Sequence, residues 1–150
     1  MVSQSYKAVI TDRPPDLMEA QRFVTDPAFG AITSFTGIVR NNNEGRAAEA
    51  VTYDVHETLA VKALETLCIE ALKMADSRAR VYVAHARGRL SVGEASVIIA
   101  VGTPHRKLSF DICQFMIDRL KEQAPIWKNE HYLEGDNAWL AGTPLEAAGK

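Results

Sequence analysis

His105 and Arg106 stand side by side after Thr103-Pro104, at the start of an amphipathic run that Pro125 ends. A threonine hydroxyl caps a first turn and proline suits the first helical position, which predicts a helix from Thr103 with both cations in its first turn. The free N–H groups and macrodipole already make that end positive, so cations there need compensation. A bound phosphate or carboxylate is the simplest compensation; the alternative is that both side chains point into water and pair with nearby acids. At about 100° per residue, Phe110, Cys113, Ile117, Leu120 and Ala124 share one narrow arc, predicted to face the core. Leu108, Ile112 and Phe115 widen it, while Lys107, Asp111, Gln114, Asp118 and Glu122 lie opposite. Lys121 falls on the seam, from which a lysine reaches into a cleft.

Arg40 is the other cation in a functional position. It ends the alternating, β-branched segment Gly30–Arg40, predicted as a strand, just before the polar loop Asn41–Arg46, and strand ends are where scaffolds place functional groups. Its alternative is a simple ion pair with Glu44 or Glu49. Gly37 within that strand predicts a bulge or a close backbone approach.

The remaining elements follow from periodicity. Strands are expected at Tyr6–Ile10, Ala50–His56, Arg80–Ala86, Ala95–Gly102 and Ile126–Leu133, the last turning at Glu134–Asn137 into Ala138–Leu140. SVIIAVG in the fourth of these is apolar on both faces and is expected at the centre of its sheet. Helices are expected after Asp16, with Leu17, Ala20, Phe23 and Val24 on one side, and over Glu57–Ala75. Strands in pairs with interspersed helices make the fold class α+β with a largely antiparallel sheet.

With 150 residues, 47% of them hydrophobic, the chain is long enough to bury a core as one domain over 1–150 without disulfide or metal staples. Residues 141–150 are expected to form a loosely ordered tail. A net charge of -2 excludes a general attraction to nucleic acid, so any basic site is local. No apolar run is long enough to span a membrane and Met1–Ile10 lacks signal-peptide character, so cytosolic residence is the expectation. Cys68 and Cys113 sit in apolar helical stripes, where thiols pack as small hydrophobes, and no ligand spacing for zinc occurs. His85, on an apolar strand, is expected to be a hydrogen-bonded core histidine.

Four segments in order, FTGIVRNNN (Phe35–Asn43), HARGRLSVGEASV (His85–Val97), HRKLSF (His105–Phe110) and DRLKEQAPIWKNE (Asp118–Glu130), resemble the large, catalytic subunit of molybdopterin synthase. The resemblance implies an α/β hammerhead fold and a dimer of large subunits, each binding a small ubiquitin-like sulfur carrier to give a heterotetramer. The carrier's C-terminal Gly-Gly tail bears a thiocarboxylate, the substrate is the cyclic pyranopterin monophosphate precursor Z, and no further cofactor is implied. The family's substrate positions fall on Ile38, Val39, Arg40, His105, Arg106, Lys121, Lys128, Asn129 and Glu130, with Lys121 and Lys128 catalytic. Tyr53-Asp54-Val55-His56 departs from the family pattern, which often carries Glu and an aromatic there, and so does Pro104 before the His-Arg pair.

These residue types suit that chemistry. Arg40, His105 and Arg106 would hold the cyclic phosphate and the negative carrier terminus, and a lysine crowded by other cations gives up its proton more readily, which would equip Lys121 and Lys128 for proton transfer. The competing readings are a non-catalytic adaptor gripping a ubiquitin-like tail and a phosphate-ester hydrolase, the latter lacking a metal cluster or a nucleophile beside a base.

Overall fold

The computed structural model describes residues 5–133 and the backbone of 138–139. The chain runs β1 (Tyr6–Thr11), α1 (Leu17–Val24), β2 (Ala31–Ile38), β3 (Asn42–Asn43), β4 (Arg46–Val55), α2 (Glu57–Leu72), β5 (Arg80–Ala86), β6 (Gly88–Ser91), β7 (Ala95–Thr103), α3 (Arg106–Gln123), β8 (Ile126–Tyr132) and β9 (Ala138–Trp139). The turn expected at Glu134–Asn137 and the tail expected at 141–150 lie outside the described residues.

One sheet has the order β1-β5-β7-β2, with β1 parallel to β5 and the other pairs antiparallel. Alternation along β5 and β7 explains their unbroken apolar sequences. Val81, Val83, Val97, Ile99 and Val101 enter a core shared with α2 and α3, while Tyr82, Ala84, Ile98 and Ala100 meet Ala20 and Val24 of α1 on the other face. Both strands are internal and covered twice, as expected of SVIIAVG. Asp16 caps α1 by accepting from the Met18 amide, as its position predicts.

The second sheet is built on β4, which pairs with β8 along one edge and with β3 and β6 along the other. Two features exceed the sequence expectation. The loop Asn41–Arg46 is a hairpin turning at Glu44 and Gly45, whose φ values of 52° and 82° are the left-handed pair of a tight hairpin turn, so β4 starts at Arg46 rather than Ala50. The segment between β5 and β7 contributes β6, too short to show a period of two.

The opening of α3 also differs. Thr103 is the last residue of β7 and its hydroxyl donates to the His105 carbonyl at 2.6 Å, so it caps nothing. His105 is the N-cap residue, with no side-chain cap hydrogen bond, and Arg106 begins the helix. The helix is moored to β2 by the Gly30 amide on the Pro104 carbonyl at 3.2 Å and by the Thr33 and Ser109 hydroxyls at 2.7 Å. That mooring rotates the buried face toward Ser109, Ile112 and Met116, with Cys113 and Leu120, and leaves Phe110 61% exposed instead of core-facing.

Candidate active site

The end of β2, the middle of β4, the end of β5, the start of β7, the last turns of α3 and β8 enclose a cavity of about 130 Å³. Three cations enter it from separate elements: Arg40 beyond β2, Lys121 from the seam of α3 and Lys128 from β8. Arg40 and Lys121 have no ion-pair partner among the described residues; Glu49, a possible mate for Arg40 by sequence, stands 4.0 Å from Arg89 instead. Ile38 forms part of the lining and is exposed at its rim. The expected close approach at Gly37 occurs here: a Cβ would lie 2.7 Å from Val97 Cγ1, and the β2–β7 register shifts after this residue.

Lys128 has a different electrostatic setting from the one its sequence neighbours suggest. The β4–β8 register puts it opposite Tyr53, and its ammonium lies 3.3 Å from the Glu130 carboxylate, with side chains only 14% and 5% exposed. An acid two residues along the same strand face therefore pairs with it, within the cavity that Arg40 and Lys121 also line.

Uncharged polar groups complete the wall. Burial, reinforced by the Glu130 charge, raises the pKa of the Tyr53 phenol against the opposing effect of a hydrogen bond with Ser96. His85 packs edge-on to the Tyr53 ring with centroids 4.9 Å apart, and its Nδ1 lies 2.7 Å from the Ala86 carbonyl. Burial pushes its imidazole down to about 4, despite that hydrogen bond, so it is neutral at ordinary pH. The expectation of a hydrogen-bonded, buried histidine holds, but His85 also lines the cavity. Ser96 carries no sequence signal, and Tyr53 enters the sequence reading only as the first residue of the Tyr53–His56 departure from the family pattern; strand alternation puts Tyr53 on the buried face of β4 with Val51.

A family model described as MoaE protein matches residues 10–123. The chain belongs to the MoaE family. It is 39% identical over 132 residues to a molybdopterin synthase catalytic subunit of Synechococcus elongatus, covering 88% of this chain and 80% of that one. Among solved structures it superposes on molybdopterin synthase from Staphylococcus aureus with a TM-score of 0.83 and 28% identity, covering 94% and 99% of the two chains. The fold is also that of the complex of subunits 1 and 2 of molybdopterin-converting factor from Helicobacter pylori, with a TM-score of 0.74 at 23% identity over 94% and 97% of the chains. MoaE proteins are the sulfurtransferase subunits of molybdopterin synthase, in molybdenum cofactor biosynthesis.

Within this MoaE-family chain the nine expected site residues divide into three groups. Ile38, Arg40, Lys121 and Lys128 meet in the cavity, with Glu130 held behind Lys128. Val39 and Asn129 do not line it. Val39 is buried in the core and exchanges hydrogen bonds with Glu94 and Gly93 at 3.0 and 2.9 Å, and Asn129 alternates to the other face of β8, its Oδ1 buried without a partner among the described residues. His105 and Arg106 are exposed at the opposite end of α3, about 24 Å of helix from Lys121 at 1.5 Å per residue. Within one chain the structure does not bring them to the cavity. No group of three or more His, Cys, Asp or Glu is placed to hold a metal among the described residues.

Both cysteines are buried. Burial pushes the Cys68 thiol up to about 12, with Glu65 adding to the shift, and the Cys113 thiol up to about 11. Burial thus disfavours in both the thiolate that a sulfur nucleophile requires. Cys68→Ala and Cys113→Ala are expected to keep wild-type turnover within about twofold, with only the stability loss of a small core truncation. Steady-state rates beside urea midpoints check this, and loss of turnover in a stably folded variant would assign the thiol a role.

Proposed function

We propose that the cavity is a sulfur-transfer site, at which the thiocarboxylate of a small ubiquitin-like carrier delivers sulfur to the cyclic pyranopterin monophosphate precursor Z. The observation that carries the reading is the convergence of Arg40, Lys121 and Lys128 from three elements on one cavity. Arg40 and Lys121, with no ion-pair partner among the described residues, supply the charge that an anionic carrier tail and a phosphate need. Sulfur replaces oxygen on the pterin side chain and the carrier leaves as a carboxylate. Lys128, held by Glu130 beside the uncharged Tyr53, is placed to exchange a proton as that happens.

The site is completed by a second copy of the chain. A cavity of about 130 Å³ admits an extended Gly-Gly tail but is smaller than the roughly 300–1,000 Å³ of pockets that enclose a whole ligand. β2 is an edge strand whose one partner among the described residues is β7, and Ile32 and Ile38 on it are exposed, as is Phe110 nearby on α3. Antiparallel pairing of β2 with its copy about a two-fold axis sets the start of one strand against the end of the other. The strand spans about 24 Å, the same length that separates His105 from Lys121 along α3. Such pairing therefore brings His105 and Arg106 of the second copy, with the uncapped amides of that helix, to the mouth of this cavity as the phosphate-holding group.

Mixing inactive copies tests the arrangement. Lys121→Ala and Arg106→Ala proteins, each impaired alone, should recover about a quarter of wild-type turnover after random exchange, because one of the two sites in each mixed dimer is intact. The assay uses thiocarboxylated carrier and precursor Z, with molybdopterin as product. No recovery on exchange would put both residues in one chain's site, and no product from the wild-type protein would overturn the sulfur-transfer reading.

A further inference from the structure

His85 carries a feature that its packing leaves unused. Its Nδ1 is bonded to the Ala86 carbonyl, an acceptor only, so Nδ1 bears the ring proton and Nε2 presents a bare lone pair. Nε2 has no hydrogen-bond partner among the described residues. His85 is one of the residues that line the cationic cavity. A histidine serving only the core would have both nitrogens satisfied.

The rest of the cavity defines what this lone pair is for. Arg40, Lys121 and Lys128 offer only donors, while the Ser96 hydroxyl, which donates to the Gly37 carbonyl at 3.3 Å, and the Tyr53 phenol are already engaged with each other. His85 adds a neutral acceptor. It sits on an internal strand with its ring held by the edge-on Tyr53, 1% exposed, so its direction is set before any ligand arrives. The cations serve the anionic parts of the ligands and have nothing to give a ligand N–H.

We propose that His85 Nε2 accepts a hydrogen bond from a ring N–H or amino group of the heterocyclic substrate, making His85 the residue that orients and selects the heterocycle while the cations hold its phosphate and the carrier tail. This rests on the reading of the cavity as the site for the pterin phosphate. A pocket built around an acceptor discriminates strongly against analogues lacking the matching donor, because the acceptor is then buried without a partner.

Two measurements test it, once wild-type turnover with thiocarboxylated carrier and precursor Z is established; absence of that turnover would defeat the reading of the cavity itself. In His85→Leu the KM for precursor Z should rise roughly tenfold, as for one lost neutral hydrogen bond, with the Kd for the carrier unchanged. His85→Gln, whose side-chain oxygen reaches the region of Nε2, should recover most of the loss. A His85→Leu protein with wild-type KM, or one in which KM and carrier Kd rise together, would overturn the assignment. For wild-type protein labelled with ¹⁵N-histidine and bound to a carrier ending in an ordinary carboxylate, precursor Z should move the Nε2 resonance of His85 toward hydrogen-bonded values and leave Nδ1 in place. An unmoved Nε2 signal at saturation would overturn it independently of any variant's folding.

Discussion

Lys128→Ala is expected to lower kcat for sulfur transfer by about 10²–10⁴-fold, the range that a positioned proton-transfer group contributes. It is also expected to destabilise the fold, which the sequence does not foretell. Lys128 is paired at 3.3 Å with Glu130, both nearly enclosed, and removing one member of a buried pair strands the other at a cost of roughly 3–5 kcal/mol. The two effects separate in a double variant. Lys128→Ala with Glu130→Gln removes the stranded charge and should regain most of the lost stability, read as the urea midpoint, while kcat with saturating carrier stays low. If the double variant recovers turnover along with stability, Lys128 is a structural residue and the proton-transfer role falls.

Acid should weaken the protein in a defined window because of His85. Its imidazole is held neutral by burial down to about 4, against an ordinary 6.5. Below pH 6.5 the unfolded chain takes up a proton that the folded one refuses, so stability is full above that pH and falls as pH drops toward about 4. The gap amounts to roughly 3 kcal/mol. Urea midpoints at pH 7 and 4.5 should show most of this loss in the wild type and little of it in His85→Gln, which has nothing to titrate. Asp26 does not blur the comparison: a hydrogen bond from the Ala28 amide, with Arg78 and Arg80, outweighs desolvation and holds its carboxyl below 3.8, so its contribution is lost only at lower pH. An equal pH slope in His85→Gln would place the acid sensitivity elsewhere.

Much of this architecture is legible in the sequence because it is encoded locally. Alternation identified β1 and β2, a helical period identified α1 and α2, and the two-faced apolarity of SVIIAVG identified β7 as an internal strand. The seam position of Lys121 on α3 and the strand-end position of Arg40 also follow from phase along single elements, and both residues reach the cavity. The ordered motifs identified the family.

What only the tertiary structure decided depends on which elements meet and in what register. The mooring of Ser109 to Thr33 turned α3 so that Phe110 faces out, and the continuation of β7 through Thr103 moved the helix start to His105. Pairing of β4 with β8 set Tyr53 against Lys128, and the same strand face gave Lys128 an acid for its neighbour. Alternation withdrew Val39 and Asn129 from the cavity, and the length of α3 carried His105 and Arg106 away from the lysines they resemble in charge. A one-dimensional pattern records the phase of a residue within its own element; the distance between residues on different elements is set by long-range packing, which no local period contains.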